Sequence, residues 1–258
     1  MPSTSIQHDS WFGLTRFTSA RIALGRVGHS LPTETVLAFD CAHALARDAI
    51  FQPLNTQQLL QKLKLADFPA MHVASQITGR QQYLLRPDLG RKLHPQYRTL
   101  LTADSPPPSR LTIVLADGLS ALAVARHALP VLQMFRAISQ SAWELDTIIL
   151  ATQARVALAD EIAALRGAVA CAIFIGERPG LSTADSMGIY VTYEPRIGRT
   201  DAERNCISNI HAAGLQYEEA AQKLTCLLRC ARLLGKSGIA LKDTAMRKAE
   251  GISVLPQE

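Results

Sequence analysis

Four short apolar runs mark the second half of the chain: LTIVLADG (111–118), LDTIILATQ (145–153), VACAIFIG (169–176) and GIYVTYEP (188–195). Each is bounded by turn residues, and continuous apolar character of that length reads as a strand buried on both faces. Helical periodicity fills the spaces between them. A helix is predicted from Ala121 to about residue 138, capped by Ser120 and interrupted at Pro130, which must kink or split it. A second covers 157–166 and closes at Gly167. The last covers 217–234, with Ala220, Leu224, Leu227, Leu228, Ala231 and Leu234 on one face. Strands alternating with helices imply a parallel sheet covered on both sides, with any ligand beyond the carboxyl ends of its strands.

The first part of the chain has a different texture, and residues 9–110 read as mostly helical and irregular. A helix begins at Thr33, read as its N-cap after Pro32, with Val36, Leu37, Cys41, Ala44 and Leu45 on one stripe. Another covers 56–65, where Leu59, Leu60 and Leu63 recur at helical spacing. QQYLLRPDLGRKL (81–93) breaks at Pro87 and turns at Gly90, and on residue types alone it is a surface turn joining a strand to a helix. SPPPS (105–109) is a stiff, extended linker. The expected fold is α/β: an N-terminal mostly helical segment, then a doubly wound, mainly parallel, Rossmann-like sheet. The expected domains are 1–104, the linker 105–109, and 110–258.

One connection is too long for a plain link. After the strand at 169–176 comes a polar loop, ERPGLSTADSM, before the next apolar run, whereas strand connections usually take about 2–6 residues. The expectation is that something binds there. Asp117-Gly118-Leu119-Ser120 and Gln153-Ala154-Arg155-Val156 also follow strands and would converge on the same edge.

Composition narrows the ligand. The 258 residues carry a formal net charge of +5, but the basic residues are scattered, with no basic run interleaved with aromatics, so nucleic acid ranks low. A phosphate-bearing cofactor or an acidic partner subunit fits a mildly basic surface better. No apolar run reaches membrane-span length, and MPSTSIQHDSWFG lacks the layout of a signal peptide, so a cytoplasmic location and no membrane partner are expected. The five cysteines form no CxxC pair. Cys226 and Cys230, four apart on a helix, read as small buried hydrophobes rather than metal ligands.

Known catalytic signatures are missing. There is no GxGxxG after a strand, no GxxxxGK[ST], no HExxH and no GxSxG. His211 sits among polar residues in NCISNIH and reads as a hydrogen-bonded structural residue. Glu177 could be a general acid or base, an acceptor for backbone or ligand amides, or a partner of Arg178. The chain therefore reads as a binding scaffold without catalytic or metal residues of its own. Two alternatives stand beside that reading: a stand-alone enzyme using Asp117, Glu177 and His211, and a non-catalytic interaction module whose GERPG loop docks a partner.

RIALGRVGHSLPT (21–33), YLLRPDLGRKL (83–93), LADGLS (115–120), IGERPGL (175–181), YEPR (193–196), CISNIH (206–211) and KSGI (236–239) occur in an order and spacing that resembles the small (light-chain) subunit of ethanolamine ammonia-lyase. The resemblance implies a subunit of an adenosylcobalamin enzyme that converts ethanolamine to acetaldehyde and ammonia by radical chemistry. It further implies a hetero-oligomer in which the large subunit, a (β/α)8 barrel, binds ethanolamine while the small subunit closes over the other side of the cofactor. Residues 1–104 would contact the large subunit. Residues 110–258 would bind the cofactor, through the backbone of Val156, the carboxylate of Glu177 and the side chain of Cys206. The resemblance also brings in a bacterial microcompartment as a second location beside the cytoplasm: longer family members carry an N-terminal extension associated with packaging into one, and this chain begins almost at the shared body, which puts packaging through that segment in doubt. It also departs from the family in the STADSMG loop and in Ala212-Ala213 after His211, where glycine is usual.

Overall fold

The computed structural model describes residues 6–103, 106–107, 109–139, 142–239 and 241. All four apolar runs contribute strands to one seven-stranded sheet. In chain order the strands are β1 (Ala70–Ala74), β2 (Arg110–Ala116), β3 (Glu144–Leu145), β4 (Ile148–Thr152), β5 (Ala170–Gly176), β6 (Met187–Tyr193) and β7 (Asn205–Ile210). Their spatial order is β1-β4-β2-β5-β6-β7, with β3 beside β2. Pairings among β1 to β5 are parallel, while β5–β6 and β6–β7 are antiparallel. The fold is the expected α/β class, with a mixed and mostly parallel sheet.

Two strands escape the apolar pattern. β1, AMHVA, is a half-buried edge strand ahead of the proline-rich stretch. β7, NCISNI, is the opposite edge and exposes Cys206, Ser208 and Asn209, so it reads as polar. The 145–153 run divides into β3 and β4 rather than forming one strand. Residues 105 and 108 of the expected linker, and the last expected domain from 242 onward, lie outside the described residues.

The helices are α1 (Thr33–Phe51), α2 (Thr56–Leu65), α3 (Arg80–Leu85), α4 (Arg98–Leu101), α5 (Ala121–Ser139), α6 (Leu158–Leu165) and α7 (Tyr217–Leu234). Asn55 caps α2 by accepting from the Gln58 N–H at 3.0 Å, and Ser120 accepts from the Ala123 N–H at 3.3 Å at the start of α5. Pro32, not Thr33, occupies the cap position of α1, and no side chain bonds there. α5 is not split at Pro130. Its buried face, including Val124, Val131, Leu132 and Phe135, holds the helix together against the loss of one backbone hydrogen bond. Cys226 and Cys230 of α7 are half-buried rather than buried.

Two cores flank the sheet. On one side Leu63 of α2, Phe135 of α5 and Leu224 and Leu228 of α7 pack with Leu115, Phe174, Ile189 and Ile207, so that cover reaches β7. On the other side Leu101 of α4 and Leu158 and Ile162 of α6 pack with Val114, Ile149 and Ile173, and this cover is centred on β4, β2 and β5. The second face of β6 and β7 is covered in part: Gly188 and Thr192 are buried and Tyr190 is half-buried, while Cys206 and Ser208 are exposed.

The ends of β2 and β5 touch closely. Gly118 has φ +56°, and a Cβ there would lie 2.3 Å from the Gly176 carbonyl oxygen. Only glycine meets both demands. Gly118→Ala should lower the unfolding free energy by about 2 kcal/mol or more, left-handed backbone alone costing roughly 1–2 kcal/mol. Chemical denaturation checks this, and an unchanged midpoint would contradict it.

Candidate functional site

Three loops follow the carboxyl ends of β2, β4 and β5, and one carboxylate ties the first two together. Asp117, buried at the end of β2, accepts from the N–H of Gly118 at 2.9 Å, of Gln153 at 2.8 Å and of Ala154 at 3.2 Å. Burial pushes its carboxyl upward, and these donors together with Arg80, 3.9 Å away, pull it back. Gln153 is held at φ +55°, a conformation that needs outside support in a residue with a side chain.

A second clamp acts on the same loop from α3. The Tyr83 hydroxyl donates to the Ala154 carbonyl at 3.0 Å, and Arg155 Nη2 donates to the Tyr83 carbonyl at 2.9 Å. The guanidinium groups of Arg80 and Arg155 lie 4.5 and 4.1 Å from the centroid of the Tyr83 ring. Burial raises the Tyr83 phenol to about 12, so it remains a donor at neutral pH. The Arg155 N–H donates to the Gly90 carbonyl at 2.8 Å, which fastens the 86–93 turn to the loop that carries Val156. The 81–93 segment is therefore more than the surface turn its residue types suggest: Tyr83, Gly90 and Leu93 are buried. Val156 itself is half-buried and lines a cleft of about 890 Å³ that runs past the start of α6 to Asp201 and Arg204.

The third loop, after β5, begins with Glu177. Its carboxylate accepts from the Ser186 hydroxyl and, at 3.3 Å, from the Asn209 N–H of β7. Gly188 of β6 makes room for it, since a Cβ there would approach Glu177 Oε1 to 2.9 Å. Tyr190 lies on the same strand face, two residues on, and pairs across the strands with Cys206. Burial, then Cys206, Glu177 and Asp201, raise the Tyr190 phenol to about 12. Burial also raises the Cys206 thiol, against a hydrogen bond with Tyr190 that lowers it, so the thiol is neutral at neutral pH.

Glu177 and Cys206 thus share the surroundings of Tyr190 on the partly open sheet face. Val156 stands in the neighbouring cleft, with Asp201 common to both regions. Sequence reasoning does not find Tyr190 and Gly188; a glycine inside an apolar strand is the available signal, because it marks a close approach.

Asp117, Glu177 and His211 do not share one job. Asp117 uses both oxygens on backbone donors. The ring of His211 bonds Asn209 Oδ1 at 2.9 Å through Nε2 and accepts from the Ala213 N–H at 3.3 Å through Nδ1. That is a structural role, as its polar surroundings suggest. Among the described residues no group of three or more His, Cys, Asp or Glu could hold a metal ion, and no helix is long and apolar enough to cross a membrane.

The polar loop after β5 is latched down along its length. The Ser120 hydroxyl donates to the Ala184 carbonyl at 2.8 Å, Arg126 Nη1 donates to Asp185 Oδ2 at 2.7 Å, and Arg21 Nη2 donates to the Leu181 carbonyl at 3.1 Å. His127 of α5 places Nδ1 2.9 Å from the Tyr217 hydroxyl and Nε2 3.4 Å from Asp185 Oδ2.

Comparison with known proteins places this arrangement among relatives. The family described as the ethanolamine ammonia-lyase light chain matches residues 8–242. The chain is 50% identical over 241 residues to an ethanolamine ammonia-lyase small subunit from Azotobacter vinelandii, covering 91% of this chain and 88% of that one. It is 47% identical over 248 residues to one from Ralstonia nicotianae, covering 95% and 92%. A third, from Xanthomonas campestris pv. campestris, is 46% identical over 261 residues, covering 98% and 95%.

The loop latch carries a pH dependence. Burial lowers the pKa of His127, and the nearby Asp185 only partly offsets this. A lowered histidine pKa favours the neutral ring in the folded state. That stability is complete above the unfolded value of about 6.5 and is lost as pH falls through it towards the folded pKa. Between about pH 7.5 and about pH 5.5, the native chain should therefore lose more unfolding free energy than His127→Gln. Denaturant titrations at the two pH values check it, and equal losses would contradict it.

Proposed function

The chain belongs to the ethanolamine ammonia-lyase light-chain family, and from that premise we propose that it helps hold adenosylcobalamin against a large subunit for the conversion of ethanolamine to acetaldehyde and ammonia. The observation that carries this reading is the partly open face of β6 and β7 beside the loops of β4 and β5. A corrinoid is a broad disc ringed by neutral amide side chains, and it needs a wide surface with a few well-placed acceptors. Here the fit is good. Gly188 keeps the sheet surface low, Tyr190 and Cys206 supply an aromatic ring and a neutral thiol, and Glu177 offers carboxylate oxygens at its edge.

In this reading Val156 meets the corrinoid through its backbone, in a loop fixed by Asp117 and Tyr83. Glu177 accepts from corrinoid amides, and Cys206 packs as a neutral thiol rather than ligating cobalt. Bound there, adenosylcobalamin supplies the radical chemistry, while this chain binds it, orients it and excludes water.

The same proposal assigns residues 1–104 to contact with the large subunit and 110–258 to the cofactor, in a hetero-oligomer. Supporting this, α1 buries only Ala46 and Ala49. Its apolar stripe is exposed in the single chain, with Leu37 at 62%, and Trp11 and Phe17 earlier in the chain are 66% and 73% exposed. Apolar surface of that extent fits a protein partner.

Corrinoid titration of the complex reconstituted with the large subunit tests the site. Glu177→Ala should weaken binding about tenfold to hundredfold, since hydrogen bonds to a charged group contribute roughly 1.5–3 kcal/mol. Cys206→Ser should leave the visible spectrum unaltered and affinity within about tenfold. Unchanged affinity in Glu177→Ala with normal assembly would remove Glu177 from the site, and an altered spectrum in Cys206→Ser would overturn its packing role.

A further inference from the structure

The side chains of Arg91 and Lys92 in the RPDLGRKL turn take no part in the site described so far, yet the turn is built against that site. Gly90 sits so near the Val156 loop that a Cβ would lie 2.8 Å from Arg155 Cγ and 3.2 Å from the Gln153 carbonyl oxygen. With the Arg155 N–H bonded to the Gly90 carbonyl, the turn and the loop form one wall of the 890 Å³ cleft.

Charge in that cleft is unevenly paired. Asp88 is held down to about 2 by Arg86, which bonds it at 2.9 and 2.7 Å. Glu161 is paired with Arg98 and also accepts from the Leu93 N–H at 2.8 Å. Asp201 is paired with Arg204 at 2.9 Å, and Arg199 with Glu203 at 2.5 Å. Each cleft acid thus already has its cation. Arg91 and Lys92, both exposed, make no side-chain hydrogen bond or ion pair among the described residues. Arg155 has no carboxylate partner among them either, and its buried Nε has no hydrogen-bond acceptor.

The geometry points to an anion subsite formed by Arg91 and Lys92, with Arg155 lining the same cleft, that takes the phosphodiester of the corrinoid's nucleotide tail. The inference rests on the cofactor reading above. It follows from charge complementarity: the corrinoid rim carries neutral amides, and the phosphodiester is the one anionic group of a cobalamin. The unpaired cations stand in the cleft that Val156 lines, beside the surface assigned to the ring. Arginine and lysine are the side chains suited to phosphate, one through a planar fork and the other as a point charge.

The test compares three corrinoids in the complex with the large subunit: cobalamin, cobinamide, which lacks the nucleotide tail, and cobinamide phosphate, which restores the phosphate without the base. Binding is read from the visible spectrum, and assembly by gel filtration. The double variant Arg91→Gln/Lys92→Gln should lose about fivefold affinity for cobalamin and cobinamide phosphate, and less than about twofold for cobinamide. Raising the salt concentration should erase most of that difference. Equal loss for all three, no loss for any, or weakened assembly (the sign of an acidic patch on the large subunit) would overturn the subsite while leaving the cofactor reading in place. Failure of all three corrinoids to bind the unaltered complex would overturn both.

Discussion

A carboxylate taken out of water has to be satisfied, and much of this structure's binding edge depends on how Asp117 meets that demand. Three backbone N–H groups from two loops converge on it, with Arg80 at longer range. Removing one partner from such a cluster leaves others buried and unpaired, at a cost of about 1–3 kcal/mol each. The carboxylate therefore fixes where the chain turns after β4, and the Tyr83 contacts fix it a second time. Val156 inherits its position from both. The same turn at Gly118 brings β2 against Gly176, and Glu177 follows directly. One buried carboxyl group thus sets the relation between the two loops that carry candidate contacts.

The second constraint is topological. A parallel strand after β5 would have required a crossover, and its helix would have covered the second face. Instead β6 returns antiparallel through the 177–186 loop, and β7 returns again beside it. The α7 helix shields one side of these strands, and on the other side Cys206 and Ser208 stay exposed. The long polar loop accompanies that reversal, and its bonds to Ser120, Arg126 and Arg21 hold it in place beside the surface it borders.

Much of this was legible in the residues, for reasons that can be named. Buried strands read clearly because both faces are apolar, as in ACAIFIG. α2 and α7 match their predicted bounds, since an apolar stripe at helical spacing runs along both. β1 and β7 were hidden because edge strands need not be apolar on both faces. The antiparallel return was hidden because the length of a loop says nothing about the direction of the strand after it. The α1 stripe was visible, but no described residue buries it, and periodicity alone does not tell a core face from a docking face. In the candidate site, Glu177 and Cys206 were named through a family resemblance. The geometry adds what spacing could not: Gly188 beneath one, Tyr190 beside the other.

In the reading proposed here, the partly open β6–β7 face and the Val156 loop complete a corrinoid site that neither subunit forms alone. The most direct measurement is the visible spectrum of corrinoid retained after gel filtration of this chain, of the large subunit, and of the two together. Corrinoid should be retained stoichiometrically by the complex, and weakly or not at all by either subunit separately. Retention by the large subunit alone, undiminished by omitting this chain, would contradict it.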